Sequence, residues 1–291
     1  LQNYFKNNGH LQGSGLVQQQ HDRFIRLGYP VQDAYGLEVG HGLAILTNTV
    51  PAAFWFVLRI FAQPGVLDAC HEEVLAHVTS SEDLDGTKFR TLDVAKLKTS
   101  CPILLAAFKE TLRLHTRGSG ARKVMEDHLL DGKYLLKKDA FVVMPSTVQH
   151  FDPELWGSDV NDFDISHFYS PPSKSSSSYT KRVKPNPVSF RSFGGGATLC
   201  PGRHFVTTEV LTLVAMLMLR FTMNPVSGSW AIPTTEKASS MVIIPPPDED
   251  VEVEITRRKE DEGVKWVWSL SGSDKPIEIA AEDLSGIEME K

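Results

Sequence analysis

Apolar positions are densest at residues 36–62, GLEVGHGLAILTNTVPAAFWFVLRIFA. A run of that length raises a membrane span. His41, Thr47, Asn48, Thr49 and Arg59 interrupt it, however, and Pro51 stands in its middle. A long helix, apolar nearly all round and crossing a protein core, fits better. Pro51 has no N–H, so the carbonyl of Thr47 loses its helical partner and a kink is expected there. Pro64-Gly65 predicts the end of that helix, with a shorter one over 66–78. DLDGT at 83–87 reads as a turn. Ser100 is the expected cap of the next helix, over 101–115, with Pro102 in its first turn and Ile103, Leu104, Ala107, Phe108, Thr111 and Leu112 at helical spacing. Alternating stretches predict strands at 121–125 and 134–144, parted by the turn Asp131-Gly132. Residues 146–156 and 161–169 read as irregular, and PPSKSSSSY at 171–179 as a low-complexity insert. A glycine-rich loop covers 193–203 and leads into an apolar helix over 202–221. Strands are expected at 240–245 and 251–257.

The pattern thus predicts helices interspersed with short strands, followed by an acidic, mobile tail at 271–291. The composition is that of a soluble globular chain of 291 residues, 41% apolar and 23% charged. The net charge of −6 is uneven, with 14 acidic and 6 basic residues from position 241 onward. No basic footprint suggests nucleic-acid binding. Three scattered cysteines, Cys70, Cys101 and Cys200, point to a reducing compartment rather than a disulfide framework. The first residue is leucine and no signal peptide is evident after it, so the chain reads as a fragment or a truncated product.

The chemistry concentrates in FGGGATLCPGRHF, residues 193–205. Glycines let backbone approach a flat partner closely. A cysteine just ahead of a helix N-terminus has its thiolate favoured by the helix dipole and free N–H groups. Together they describe a sulfur on a rigid loop, ready to ligate a metal from one side. A phosphate loop would need Gly-Lys-Ser/Thr, which is absent. HEEVL at 71–75 lacks the second histidine of a zinc motif, and 83–87 lacks the later ligands of a calcium loop.

The spacing Phe193, Gly196, Cys200, Gly202 resembles the haem-binding signature of the cytochrome P450 superfamily. GAT-x-CPGR, Gly196 to Arg203, is most similar to the sterol 7α-hydroxylase and prostacyclin synthase branch. The resemblance implies haem b with Cys200 as axial ligand to its iron. It also implies a P450-like fold, mainly α with small β-sheets, of which the chain is the C-terminal half, with residues 1–270 part of a single haem domain. Glu110 and Arg113 match the family's Glu-x-x-Arg helix and would stabilise the fold behind the haem; as a bare i,i+3 pair they could equally be a surface salt bridge. Arg122 stands where the family places a haem-propionate arginine, against the alternative of a strand-edge surface residue. Thr198 replaces the usual basic residue two before the cysteine. His167 stands where an arginine is expected and Ile165 where a proline is; a histidine mostly neutral at pH 7 reads as a weakness in the scaffold. ILTNT at 45–49 matches the dioxygen-activating segment, with Asn48 for the acid and Leu46 for the glycine. There Asn48 and Thr49 would form a polar notch holding O2 and a proton-relaying water, or would bond local carbonyls of a helix break.

By this resemblance the activity would be that of a monooxygenase, inserting one oxygen atom from O2 into a small apolar substrate, sterol- or lipid-like or a secondary metabolite. Its electrons would come from NADPH through a reductase, for which Lys181, Arg182, Lys184, Arg191 and Arg203 form a candidate docking patch. Such an enzyme sits on the cytoplasmic face of the endoplasmic reticulum membrane through an N-terminal anchor that would precede Leu1. Two alternatives stay open. Asn48 cannot carry a proton as a carboxylate does, which suits peroxide rearrangement; and a chain without the family's N-terminal half could be a non-catalytic remnant.

Overall fold

The computed structural model describes residues 1–170 and 189–272. They fall into two compact units, Leu1–Val50 and Pro51 onward. The predicted insert, Lys181, Arg182 and Lys184, and the tail beyond Gly272 lie outside the described residues.

The first unit holds helices α1 (Gln2–Lys6), α2 (Gly15–Arg26) and α3 (Val31–Ala44), then a π-helical segment, Ile45–Thr49. Its interior is aromatic: Phe5 is buried and stacks on Tyr35 at 4.9 Å and on His21 at 5.4 Å. The π segment lies where Pro51 withholds its N–H, which is the predicted irregularity in its specific form. Thr47 Oγ1 donates to the Leu43 carbonyl at 2.8 Å, and Asn48 Nδ2 to the Ala44 carbonyl at 3.0 Å.

In the second unit the core forms where α4 (Val50–Phe61), α5 (Pro64–Leu75), α7 (Pro102–His115) and α10 (Arg203–Arg220) meet, with α6 (Val94–Thr99) beside them. Trp55, Phe56, Ile60, Leu104, Phe108, Leu211 and Val214 are fully or nearly fully buried there. In this unit the core cluster begins at Ala52, so the part of the apolar run that follows Pro51 supplies a core helix. Among the described residues, one helical run, Val31–Phe61, is long and apolar enough to cross a membrane, and a third of its most apolar window is buried.

Four small sheets complete the fold. β1 (Val78–Glu82) pairs antiparallel with β2 (Lys88–Asp93) across the predicted turn, and β2 pairs in parallel with β9 (Val264–Ser269). β3 (Ser119–Lys123) pairs with β6 (Phe141–Pro145), setting Arg122 opposite Val142. β4 (His128–Leu130) and β5 (Tyr134–Leu136) form a hairpin whose turn residues, Asp131 and Gly132, both have positive φ, 54° and 64°. β7 (Phe221–Pro225) pairs with β8 (Val253–Arg257).

Several boundaries differ from expectation for identifiable reasons. Pro64 starts α5 rather than ending α4, because a proline fits the first helical turn. Cys101, not Ser100, precedes α7, and no side chain of its own caps that helix. The cap comes from α5: the Glu73 carboxylate accepts from the N–H groups of Ile103 and Leu104, both at 3.0 Å. Residues 146–156 are not irregular but carry two short helices, α8 (Ser146–His150) and α9 (Pro153–Trp156). No strand forms at 240–245, where the Ile243 carbonyl accepts from Arg117 N–H at 2.7 Å but no ladder develops.

Candidate functional site

The loop ahead of α10 is built from its own backbone. Gly194 donates to the Arg191 carbonyl at 2.9 Å, and the N–H of Cys200 donates to the Phe193 carbonyl, also at 2.9 Å. Gly194 and Gly196 have φ of +77° and +59°, left-handed conformations that favour glycine. At Gly194 a Cβ would also crowd the Thr198 carbonyl oxygen at 3.3 Å. Cys200 is half-buried and closes the loop, three residues before α10 begins. Its carbonyl accepts from Arg203 Nη1 at 3.1 Å, so this arginine of the expected docking patch faces the loop itself. At Gly202 a Cβ would make only ordinary contact with Cys200 Sγ, 3.9 Å away.

Arg122 reaches this loop from β3. Its Nη2 donates to the Gly195 carbonyl and to Thr198 Oγ1, each at 2.8 Å, and Nη1 donates to the Ala121 carbonyl at 2.9 Å. The expected haem-side arginine is therefore brought to the cysteine loop. Thr198 complements it where a second cation would repel it.

Behind the loop, Arg113 and Glu110 are both fully buried, so they are not a surface pair. Arg113 Nε and Nη2 donate to Glu110 Oε2 and Oε1 at 2.8 and 2.7 Å, a bidentate fork. The remaining guanidinium hydrogens go to backbone carbonyls of His150 and Val160, both at 2.7 Å, and of Asp162 at 3.2 Å. Glu110 Oε1 also accepts from the N–H of Asp164 at 3.2 Å.

His167 completes this group and makes the bond to Glu110 that a histidine in the arginine's place can still form. Its Nδ1 lies 3.0 Å from Glu110 Oε1 and its Nε2 3.0 Å from the Trp156 carbonyl oxygen. Neither partner carries a hydrogen, so both bonds form only when both ring nitrogens do. The hydrogen bond to Glu110 raises the His167 pKa above its ordinary value.

Sequence reasoning passed over two histidines. His150 is fully buried at the end of α8, in a stretch read as irregular, and no spacing pattern marked it. His115, at the end of α7, stacks on Trp55 at 4.0 Å and accepts from Arg59 Nε at 3.1 Å; burial holds its pKa well below the ordinary value. Asn48 and Thr49 belong to the first unit, where Asn48 makes the local carbonyl bond foreseen as one of its two readings.

The donor set fits haem. Among the described residues no group of three or more His, Cys, Asp or Glu side chains could hold a metal ion. A single thiol on a glycine-built loop instead suits a metal that arrives with its other donors in place, as haem iron does. Residues 46–253 match the family described as Cytochrome P450. The chain belongs to the cytochrome P450 family. It is 31% identical over 96% of its length to cytochrome P450 monooxygenase nodJ of Hypoxylon pulicicidum, covering 54% of that protein. It is 30% identical over 79% of its length to a cytochrome P450 monooxygenase of Gibberella zeae, covering 44% of it. With cytochrome P450 7A1 of Rattus norvegicus it shares 29% identity over 72% of its length and 43% of the relative's. The chain thus spans about half the length of the P450 relatives it matches.

Proposed function

We propose that this chain carries the thiolate side of a haem-dependent monooxygenase, in which Cys200 would ligate the iron. The carrying observation is the half-buried Cys200 on a left-handed glycine loop that Arg122 clasps from a neighbouring strand. When bound, the haem supplies the iron at which O2 is reduced and cleaved. One oxygen atom enters a C–H bond of a small apolar substrate to give an alcohol. The other leaves as water, taking up two electrons and two protons. The electrons would be NADPH's, delivered through a reductase at the endoplasmic reticulum membrane, as the family resemblance implies. Cys200 donates electron density through its thiolate. Phe193, Gly196 and Gly202 shape the face the ring would meet, and Arg122 sets positive charge beside it for a propionate. Glu110, Arg113 and His167 hold the elements behind the loop. Thr49 would pass the protons through a water that Asn48 helps to hold. Asn48 favours a second reading, peroxide rearrangement, because its amide donates to the Ala44 carbonyl and has no acid proton to give.

The test is the carbon-monoxide difference spectrum of the reduced chain supplied with haem, wild type against Cys200→Ala. A strongly red-shifted Soret band that the substitution abolishes is the expected result. A band unaffected by Cys200→Ala sinks the assignment, and no band in either chain supports the non-catalytic remnant.

A further inference from the structure

His150 bridges the two parts of the site through the backbone. Its Nε2 lies 2.9 Å from the N–H of Arg191, a group that can only donate, so Nε2 carries the lone pair. Nδ1 therefore carries the hydrogen, and it points at the Arg113 carbonyl oxygen, 3.0 Å away. That oxygen belongs to the last turn of α7, where carbonyls lack helical partners. The link is reciprocal, since Arg113 Nη1 donates to the carbonyl of His150 at 2.7 Å. On the other side, the residue whose N–H His150 holds is the one whose carbonyl opens the Gly194 turn. Phe193, inside that turn, accepts the N–H of Cys200. The ring is fully buried and stacked on Phe190 at 5.7 Å, and Phe190 meets Phe168 at 5.0 Å, so it cannot turn to satisfy one partner alone.

We infer that His150 is a positioning residue: as the neutral Nδ1–H tautomer it ties the end of α7 to the start of the Cys200 loop and so fixes where the thiol stands. The inference rests on the Cys200 reading for its purpose, but the tie itself is a property of the chain without haem. Burial supports it, since it lowers the His150 pKa to about 4 and keeps the ring neutral.

The test uses the full chain in three forms: wild type, His150→Phe and His150→Asn. Phenylalanine keeps the ring's volume and removes both bonds. Asparagine can still donate to the Arg113 carbonyl but is too short to reach the Arg191 N–H. Amide hydrogen exchange without haem should rise about tenfold at Arg191, Gly194 and Cys200 in both variants, the loss of one buried hydrogen bond. Exchange within α10 should match wild type. Nitrogen-15 shifts of wild-type His150 should report the Nδ1–H tautomer. With haem supplied, both variants should lose part of the red-shifted carbon-monoxide band to the position of an unligated thiolate. Unchanged exchange at the loop, or an Nε2–H tautomer, overturns the tie. Raised exchange with an unchanged band overturns the positioning role. Should the phenylalanine chain fail to fold, the asparagine chain and the wild-type tautomer decide. A wild type without the red-shifted band counts against Cys200 as ligand, whereas exchange and tautomer still judge His150.

Discussion

At the scale of single residues, His167 makes a pH-dependent contribution that an arginine in its place would not. The groups facing it are Glu110 and Arg113 from α7 and Asp164 from its own segment; Glu110 and Asp164 raise its pKa, and Arg113 opposes them. A histidine whose pKa is raised on folding contributes stability that is fully present below its unfolded value, about 6.5, and is lost as pH rises through the folded value. His150 and His115 are buried with lowered pKa, so they act in the opposite sense, costing stability as pH falls. The difference between chains therefore isolates the effect. His167→Arg should leave stability near wild type at pH 6 and raise it by about 1 kcal/mol at pH 9, the worth of one charge-assisted bond retained. Urea unfolding at the two pH values checks this; an equal shift at both would mean that size, not protonation, separates the residues. Glu110, Arg113, Arg122 and Cys200 were legible as single residues because motif spacing marks them. His167 was legible only as a departure, since its two acceptors come from α7 and α9, elements that spacing along the chain does not relate.

At the scale of elements, α7 holds the Glu-x-x-Arg pair in place and depends on a cap from another helix. Pro102 supplies a compatible first residue but no donor, and the N–H groups of Ile103 and Leu104 would stay unpaired in a partly buried setting without the Glu73 carboxylate. Glu73→Ala should cost about 1 kcal/mol of unfolding free energy, in the range of lost N-caps. A cost near zero in thermal or urea unfolding would mean that water replaces the carboxylate. α7 could be read from its helical spacing and α10 from its apolar run, whereas α4 was legible only as part of a longer apolar stretch. The cap could not, because the carboxylate that accepts these N–H groups lies some thirty residues upstream on a helix that composition placed only coarsely. β1 and β2 were missed for a related reason. VTSSE and KFRTLD carry little alternation of their own, and β2 gains its second partner only from β9 at the far end of the chain. The β4–β5 hairpin was foreseen in part, since Asp-Gly marks a turn needing positive φ at both positions.

At the scale of the whole molecule, the core and the cysteine site draw on one part of the chain. Every residue of the main core cluster falls between Ala52 and Ile244, and Glu110, Arg113, Arg122, His150, His167 and Cys200 all lie in that interval. A cut at Pro51 offers a clean start for this unit, because Pro51 would then open α4, where a missing N–H costs little. A chain beginning at Pro51 should therefore fold alone, with one cooperative urea transition and a stability within about 2 kcal/mol of the full chain's for the same unit. Tryptophan fluorescence isolates that unit, since Trp55, Trp156, Trp230, Trp266 and Trp268 are all the tryptophans of the sequence and all come after Pro51. A broad, non-cooperative transition would show that the core needs the first fifty residues to close. A sharp transition would assign to those residues a role other than holding the cysteine loop. For the stretch that carries Asn48 and Thr49, that outcome would fit the role proposed for it, holding water and passing protons, rather than a scaffold.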